Sequence, residues 1–192
     1  MSVTGLLPCD VRLQPLLYPK EVAPPPKASL LELERCNPQT VRPFIAAWHS
    51  RLPKTQVGPW RLAFVAHFGQ TCYGAALWHN PSARGLSQEW LELRRLAIPS
   101  TAPSCTASWM LGAMRRWISE YMPQVPRLCS YQDTEVHTGT IYRAAGWEPV
   151  HISQARQRDR TPLRVGTRRG YRSDLNGQRA SFVAKVRWEV SL

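Results

Sequence analysis

With 192 residues, 43% of them hydrophobic, the chain has the length of one ordinary domain and the composition of one that buries a core, which sets aside a disordered tail. Its 25 Lys+Arg against 13 Asp+Glu leave +12 at neutral pH, which argues against basic partners and for a polyanion, most often nucleic acid. No apolar run approaches the roughly 20 residues that span a bilayer, and five scattered cysteines without a CxxC pair support neither a zinc ribbon nor a disulfide framework.

Only Lys20, Lys27, Lys54 and Lys185 are lysines, so the positive charge is almost all guanidinium, a planar fork suited to phosphates and base edges. An arginine-rich proteome would give the same bias without any nucleic acid. The opening MSVTGLLPCD is too short and interrupted in its apolar stretch for a secretory signal, so a cytoplasmic location is expected.

Residues 1–29 hold Pro8, Pro15, Pro19 and prolines 24–26, a density that predicts an extended arm with one strand near Val11 to Leu17. Leu30 to Cys36 reads as a short turn or helix. From Val41 to Arg51, Phe44, Ala47 and Trp48 recur at helical spacing, and Pro43 is tolerated in the first turn. His49 falls near the end of this helix, beside its apolar face. A lone histidine there is more often packed or solvated than functional.

Two strands follow, at 61–68 and 71–79, joined at Gly69-Gln70 in a hairpin. The stretch EWLELRRLAIP (89–99) alternates so that Leu91, Leu93 and Arg95 share one face, with Glu92 and Arg94 opposite. An arginine among leucines must reach a partner, because an unpaired buried charge is too costly. A structural salt bridge satisfies that demand as well as a catalytic role does.

In the loop 99–108, Ser104 or Thr106 can cap a helix from Ala107 to Tyr121, whose Trp109, Met110, Ala113, Met114 and Trp117 make a core-facing stripe. Arg127 to Asp133 is the next strand. Tyr131, Asp133 and His137 then arrive together at its end, where a carboxylate and an imidazole can share a proton, orient a nucleophile or hold a metal. The bland alternative is loop anchoring. GTIYRAAGW is a short helix stopped by Gly146, with Tyr142 aimed back at the strand ends.

A strand from Trp147 to Ile152 leads into 156–179, where eight arginines stand against Asp159 and Asp174. Arg164, Arg168, Arg169 and Arg172 are its expected phosphate contacts. SFVAKVRWEV (181–190) closes the chain as an alternating strand, which makes the basic segment an insertion in a sheet. The expected plan is a single α/β (α+β) domain: a Pro-rich arm 1–29, a core 41–153, an Arg-rich DNA-contacting insertion 154–180 and a final strand 181–192.

This order of elements resembles the GNAT acyltransferase fold, with a mixed, mostly antiparallel sheet flanked by helices. IYRAAGW is similar to that fold's late helix, while the usual pyrophosphate-binding Gly-x-Gly is replaced by SCTAS (104–108). More narrowly, WHS (48–50), WLELRRL (90–96), TASWMLG (106–112) and SYQDTEVHTGTIYRAAGW (130–147) resemble the Mom family of phage DNA-modification proteins, divergent GNAT relatives. The WHS departs from an expected WHY.

The resemblance implies a transferase that converts adenine in double-stranded DNA to N6-carbamoylmethyladenine, shielding phage DNA from host restriction. It implies catalytic roles for His49, Arg95, Asp133, His137 and Tyr142 and substrate contacts for Tyr131 and Ser108; to these the residues themselves add Thr106, at the helix start where phosphate can meet N–H groups, and Trp48, a ring on which a base can stack. The donor is left open between acetyl-CoA and a related molecule, because acyl transfer would leave an amide, whereas this product is joined through a CH2 carbon. An iron site of His49, Asp133 and His137 is the metal-dependent version. Two alternatives stay open: a conventional acetyl-CoA-dependent N-acetyltransferase and a catalytically inactive DNA-binding module.

Overall fold

The computed structural model of the chain describes residues 26–49, 59–153 and 184–192. The arm at 1–25, and with it the strand expected near Val11 to Leu17, lies outside the described residues, as do 50–58 and 154–183. Arg164, Arg168, Arg169 and Arg172 therefore lie outside them too.

After a 3-10 turn at Ala28–Leu30 come β1 (Glu32–Cys36), α1 (Pro38–Trp48), β2 (Leu62–Phe68), β3 (Thr71–His79), β4 (Leu91–Ala97), α2 (Thr106–Tyr121), β5 (Arg127–Asp133), α3 (Thr140–Ala144), β6 (Glu148–Ser153) and β7 (Lys185–Ser191). The seven strands form one sheet in the order β1-β2-β3-β4-β5-β7-β6. Only β4 and β5 run parallel, because the connection between them is a crossover through α2 rather than a hairpin. β6 and β7 are antiparallel neighbours, so 154–183 joins adjacent strands within the sheet.

The turn or helix expected at Leu30–Cys36 is corrected to strand: Leu33 packs on the core beside α2, and β1 pairs with β2 along its whole length. The hairpin at Gly69-Gln70 forms as its sequence requires, with Gly69 at φ +54°. Asn37 caps α1 by accepting from the Gln39 amide at 2.9 Å.

The sheet buries a different core on each side. On the α2 side, Phe64, Trp78, Leu91, Leu93, Leu128 and Trp188 meet Met110, Leu111 and Met114 of the helix. On the α1 side, Ala63, Val65, Ala75, Leu77 and Ala97 meet Val41, Phe44 and Ile45. Among the described residues, α1 packs chiefly on β2, β3 and β4. The α1 side of β5 and β7 instead carries Cys129, Tyr131 and Asp133 opposite Glu189, Arg187 and Lys185. No described helix is long and apolar enough to cross a membrane.

Candidate active site

β4 and β5 stay paired for three residues only, from Leu91↔Leu128 to Leu93↔Ser130, and then part. The ladder leaves Leu93's carbonyl at the opening, and Ser130 Oγ donates to it at 3.2 Å. Tyr142 Oη shares a hydrogen bond with Ser130 Oγ at 2.9 Å. Its ring stacks on Trp188 with centroids 5.2 Å apart and meets Trp147 edge-on at 5.8 Å. Burial raises the Tyr142 pKa, against the smaller effect of the Ser130 bond, so the phenol stays neutral. α3 can hold it there because Gly139 turns the chain at φ +79° against Trp188, in space too tight for a Cβ.

On the other side of the sheet, a bulge decides where Arg95 goes. The β3–β4 register shifts between Leu77↔Arg95 and Trp78↔Leu93, so Arg94 is an extra residue and the alternation resets. Arg95 therefore lies on the α1 side with Leu77 and Ala97, and does not share a face with Leu91 and Leu93 as strict alternation predicts. It is buried, its Nη1 donates to the Arg94 carbonyl at 2.8 Å, and burial brings its pKa down to about 10. It remains a cation at neutral pH.

His49 ends α1, where its N–H bonds to the Ile45 carbonyl at 2.9 Å. Burial lowers its pKa to about 3, with Arg95 and then His137 adding to the effect. The imidazole is therefore neutral at pH 7. His137 reaches this place from the turn after β5, where its N–H bonds to the Asp133 carbonyl at 3.0 Å and its own carbonyl accepts from Gln132 Nε2. Arg95 and His137 thus both lie within electrostatic reach of His49.

Other expected members fall differently. Asp133 Oδ1 accepts from the Glu135 amide at 3.1 Å, so its carboxyl closes the turn that carries His137. Among the described residues no group of three or more His, Cys, Asp or Glu is placed to hold a metal ion, which corrects the iron site of His49, Asp133 and His137. Tyr131 lies on the α1 side beside Arg187, which hydrogen-bonds it. Burial, then the charge of Glu92, raises its pKa. Trp48 is partly buried against the α1-side core.

Neither Ser104 nor Thr106 caps α2. Cys105 does so at φ +68° without a side-chain bond, Thr106 Oγ1 donates back to Pro103 at 2.7 Å, and Ser108 Oγ donates to Cys105 at 3.0 Å. Ser108 still lines a groove of about 870 Å3 beside α2, together with Cys105, Trp109, Arg115 and Arg116.

Three groups on the α1 side escaped the sequence reading. Glu92 is almost wholly buried, held by Arg94 Nη1 and the Ser82 amide, each at 2.8 Å. His79 ends β3 with its ring 5.6 Å from Trp60, and burial followed by the Arg94 charge lowers its pKa. Glu189 binds Arg127 and Arg187, each at 2.8 Å. The alternation of Glu92 with leucines, and of Arg187 and Glu189 in KVRWEV, was the available signal.

Residues 31–182 match the Mom protein family. Among curated proteins none matches the sequence. Solved structures share the fold: a ribosomal-protein-alanine N-acetyltransferase from Brucella melitensis is 13% identical with a TM-score of 0.57, over 84% of this chain and 100% of that one. An acetyltransferase from Bacillus subtilis in complex with CoA is 11% identical with a TM-score of 0.54, over 84% and 99%. A GNAT family acetyltransferase from Elizabethkingia anophelis with acetyl-CoA bound is 12% identical with a TM-score of 0.54, over 85% and 99%. At these identities the likeness is one of fold, and the fold is that of the GNAT acyltransferases.

Proposed function

This chain belongs to the Mom protein family, and from that premise we propose that it is a DNA-modifying transferase placing a carbamoylmethyl-type group on the N6 amine of adenine, as protection against restriction. The observation that carries the reading is the gathering of His49, Arg95 and His137 on the α1 side of β4, where the parallel strands part. The strong positive charge of the sequence, concentrated in 156–179, favours a phosphate backbone as partner.

The N6 amine is paired inside a duplex, so the target base must leave the stack, and an aromatic such as Tyr131 gives it a ring to rest on. Its lone pair is delocalised into the purine and attacks weakly. As the N6–CH2 bond forms, the bond from that carbon to the donor's leaving group breaks, and the leaving group departs with the electron pair. Arg95 stabilises the negative charge that develops there. The alkylated nitrogen becomes strongly acidic, so even the weakly basic imidazole of His49 suffices to take its proton. Asp133 fixes the turn that brings His137 to the site.

Arg115 and Arg116 in the groove beside α2 favour an anionic part of the donor there, with its reacting end turned toward the opening between β4 and β5. A second reading draws on that groove and on the CoA-bound neighbours: a conventional N-acetyltransferase using acetyl-CoA. Mass spectrometry of nucleosides from the DNA of expressing cells separates the two. A deoxyadenosine carrying the added group supports the first reading. Unmodified DNA, together with a protein whose melting temperature rises with CoA alone, supports the second.

A further inference from the structure

On the α2 side, away from the cluster just described, a cavity of about 370 Å3 is lined by Arg35, Arg61, Leu62, Trp117, Tyr121 and Met122. Its floor is aromatic: Tyr121 stacks on Trp117 with centroids 4.8 Å apart and an interplanar angle of 29°, and Trp117 in turn meets Phe64 edge-on at 5.2 Å. The stack thus runs from the core outward and leaves the outermost ring, Tyr121, 60% exposed. Tyr121 thus offers an exposed ring at the edge of the cavity. Arg35 holds its guanidinium 5.7 Å from the Trp117 ring centre, and both Arg35 and Arg61 are exposed. No carboxylate lines the cavity, and Glu120 beside it is engaged by the Tyr121 hydroxyl at its rim.

We infer that this cavity is a second, non-catalytic nucleotide site, in which a base stacks on Tyr121 and its phosphate is held by Arg35 and Arg61. A flat ring of any base suits the aromatic shelf, and two guanidinium groups at its edge suit the phosphate, so the site recognises nucleotide chemistry without reading sequence. The stack is supported from beneath by packed core residues, so it needs no rearrangement to accept the base. The ligand is a nucleotide, either free or as one unit of a DNA strand that passes over this side of the sheet. The site shares no residue with the His49, Arg95 and His137 cluster, so it stands or falls separately from the proposed reaction.

The test is photo-crosslinking of the full-length protein to 5-bromodeoxyuridine, offered as the free monophosphate and within a short single-stranded oligonucleotide, with adducts mapped by peptide mass spectrometry. The expected adduct is on Tyr121 or Trp117. Labelling by the monophosphate assigns the site to free nucleotides, and labelling by the oligonucleotide alone assigns it to a strand. The double variant Arg35→Gln/Arg61→Gln should cut this adduct about tenfold with the melting temperature unchanged. Tyr121→Leu, which keeps the bulk but not the ring, should weaken binding of the monophosphate or oligonucleotide by a similar factor. Adducts confined to other peptides, or a yield that both sets of variants leave intact, would overturn the inference.

Discussion

Burial holds His49 neutral, with the Arg95 cation adding to the effect, so the two must be considered as a pair. Its folded pKa of about 3 lies below the 6.5 of an unperturbed histidine, so between those values the unfolded chain binds the proton and the folded one does not. Stability must therefore rise with pH across that window and fall on acidification, at a slope of at most about 1.4 kcal/mol per pH unit from this residue. His49→Gln should flatten the dependence of melting temperature on pH between 6.5 and 4; an unchanged slope would show that burial does not hold the imidazole neutral. At the same scale, Arg94 neutralises the buried Glu92 carboxylate. Arg94→Ala leaves the Ser82 amide as Glu92's remaining partner named here and should cost roughly 2–4 kcal/mol in denaturant unfolding, with much of the loss recovered in Glu92→Gln/Arg94→Ala.

The elements were legible in proportion to how plainly their periodicity was written. α1, α2 and the β2–β3 hairpin follow from apolar spacing, Pro43 and Gly69, whereas β1 did not, because three of its five residues ELERC are charged and look like a surface turn. An edge strand whose apolar contacts are Leu33 on one core and Cys36 on the other has little hydrophobic signal to give. The β4 bulge was also invisible: alternation in LELRRLA reads as unbroken, and only pairing with β3 reveals that Arg94 is supernumerary. That one residue changes which side of the sheet Arg95 serves, so alternation along one strand could not give the site's geometry. The turn into α3 yields a prediction of its own. A methyl at Gly139 would stand 2.5 Å from Trp188 Cζ2 on a backbone at φ +79°. Gly139→Ala should therefore cost roughly 2–4 kcal/mol and disturb the Tyr142–Ser130 bond, as a lowered denaturation midpoint would reveal.

For the molecule as a whole, the sheet divides the work. Its α2 side supplies most of the packed core, and its α1 side keeps, on β5 and β7, a row of ion pairs and hydrogen-bonding groups leading to the strand opening. A chain of +12 bound to duplex DNA should show steep salt dependence. If about six phosphates are neutralised, affinity should drop on the order of a thousandfold between 50 and 200 mM salt, and a nearly flat titration would argue against a phosphate-backbone partner. The central claim, though, is that the cation placed by the β4 bulge stabilises the reacting centre. Its most direct test is the fraction of modified deoxyadenosine in DNA from cells expressing Arg95→Ala, compared with the parent chain at matched levels of folded protein. The account predicts a fall of about 100-fold to 1000-fold. Modification at the parent level in that variant would contradict it.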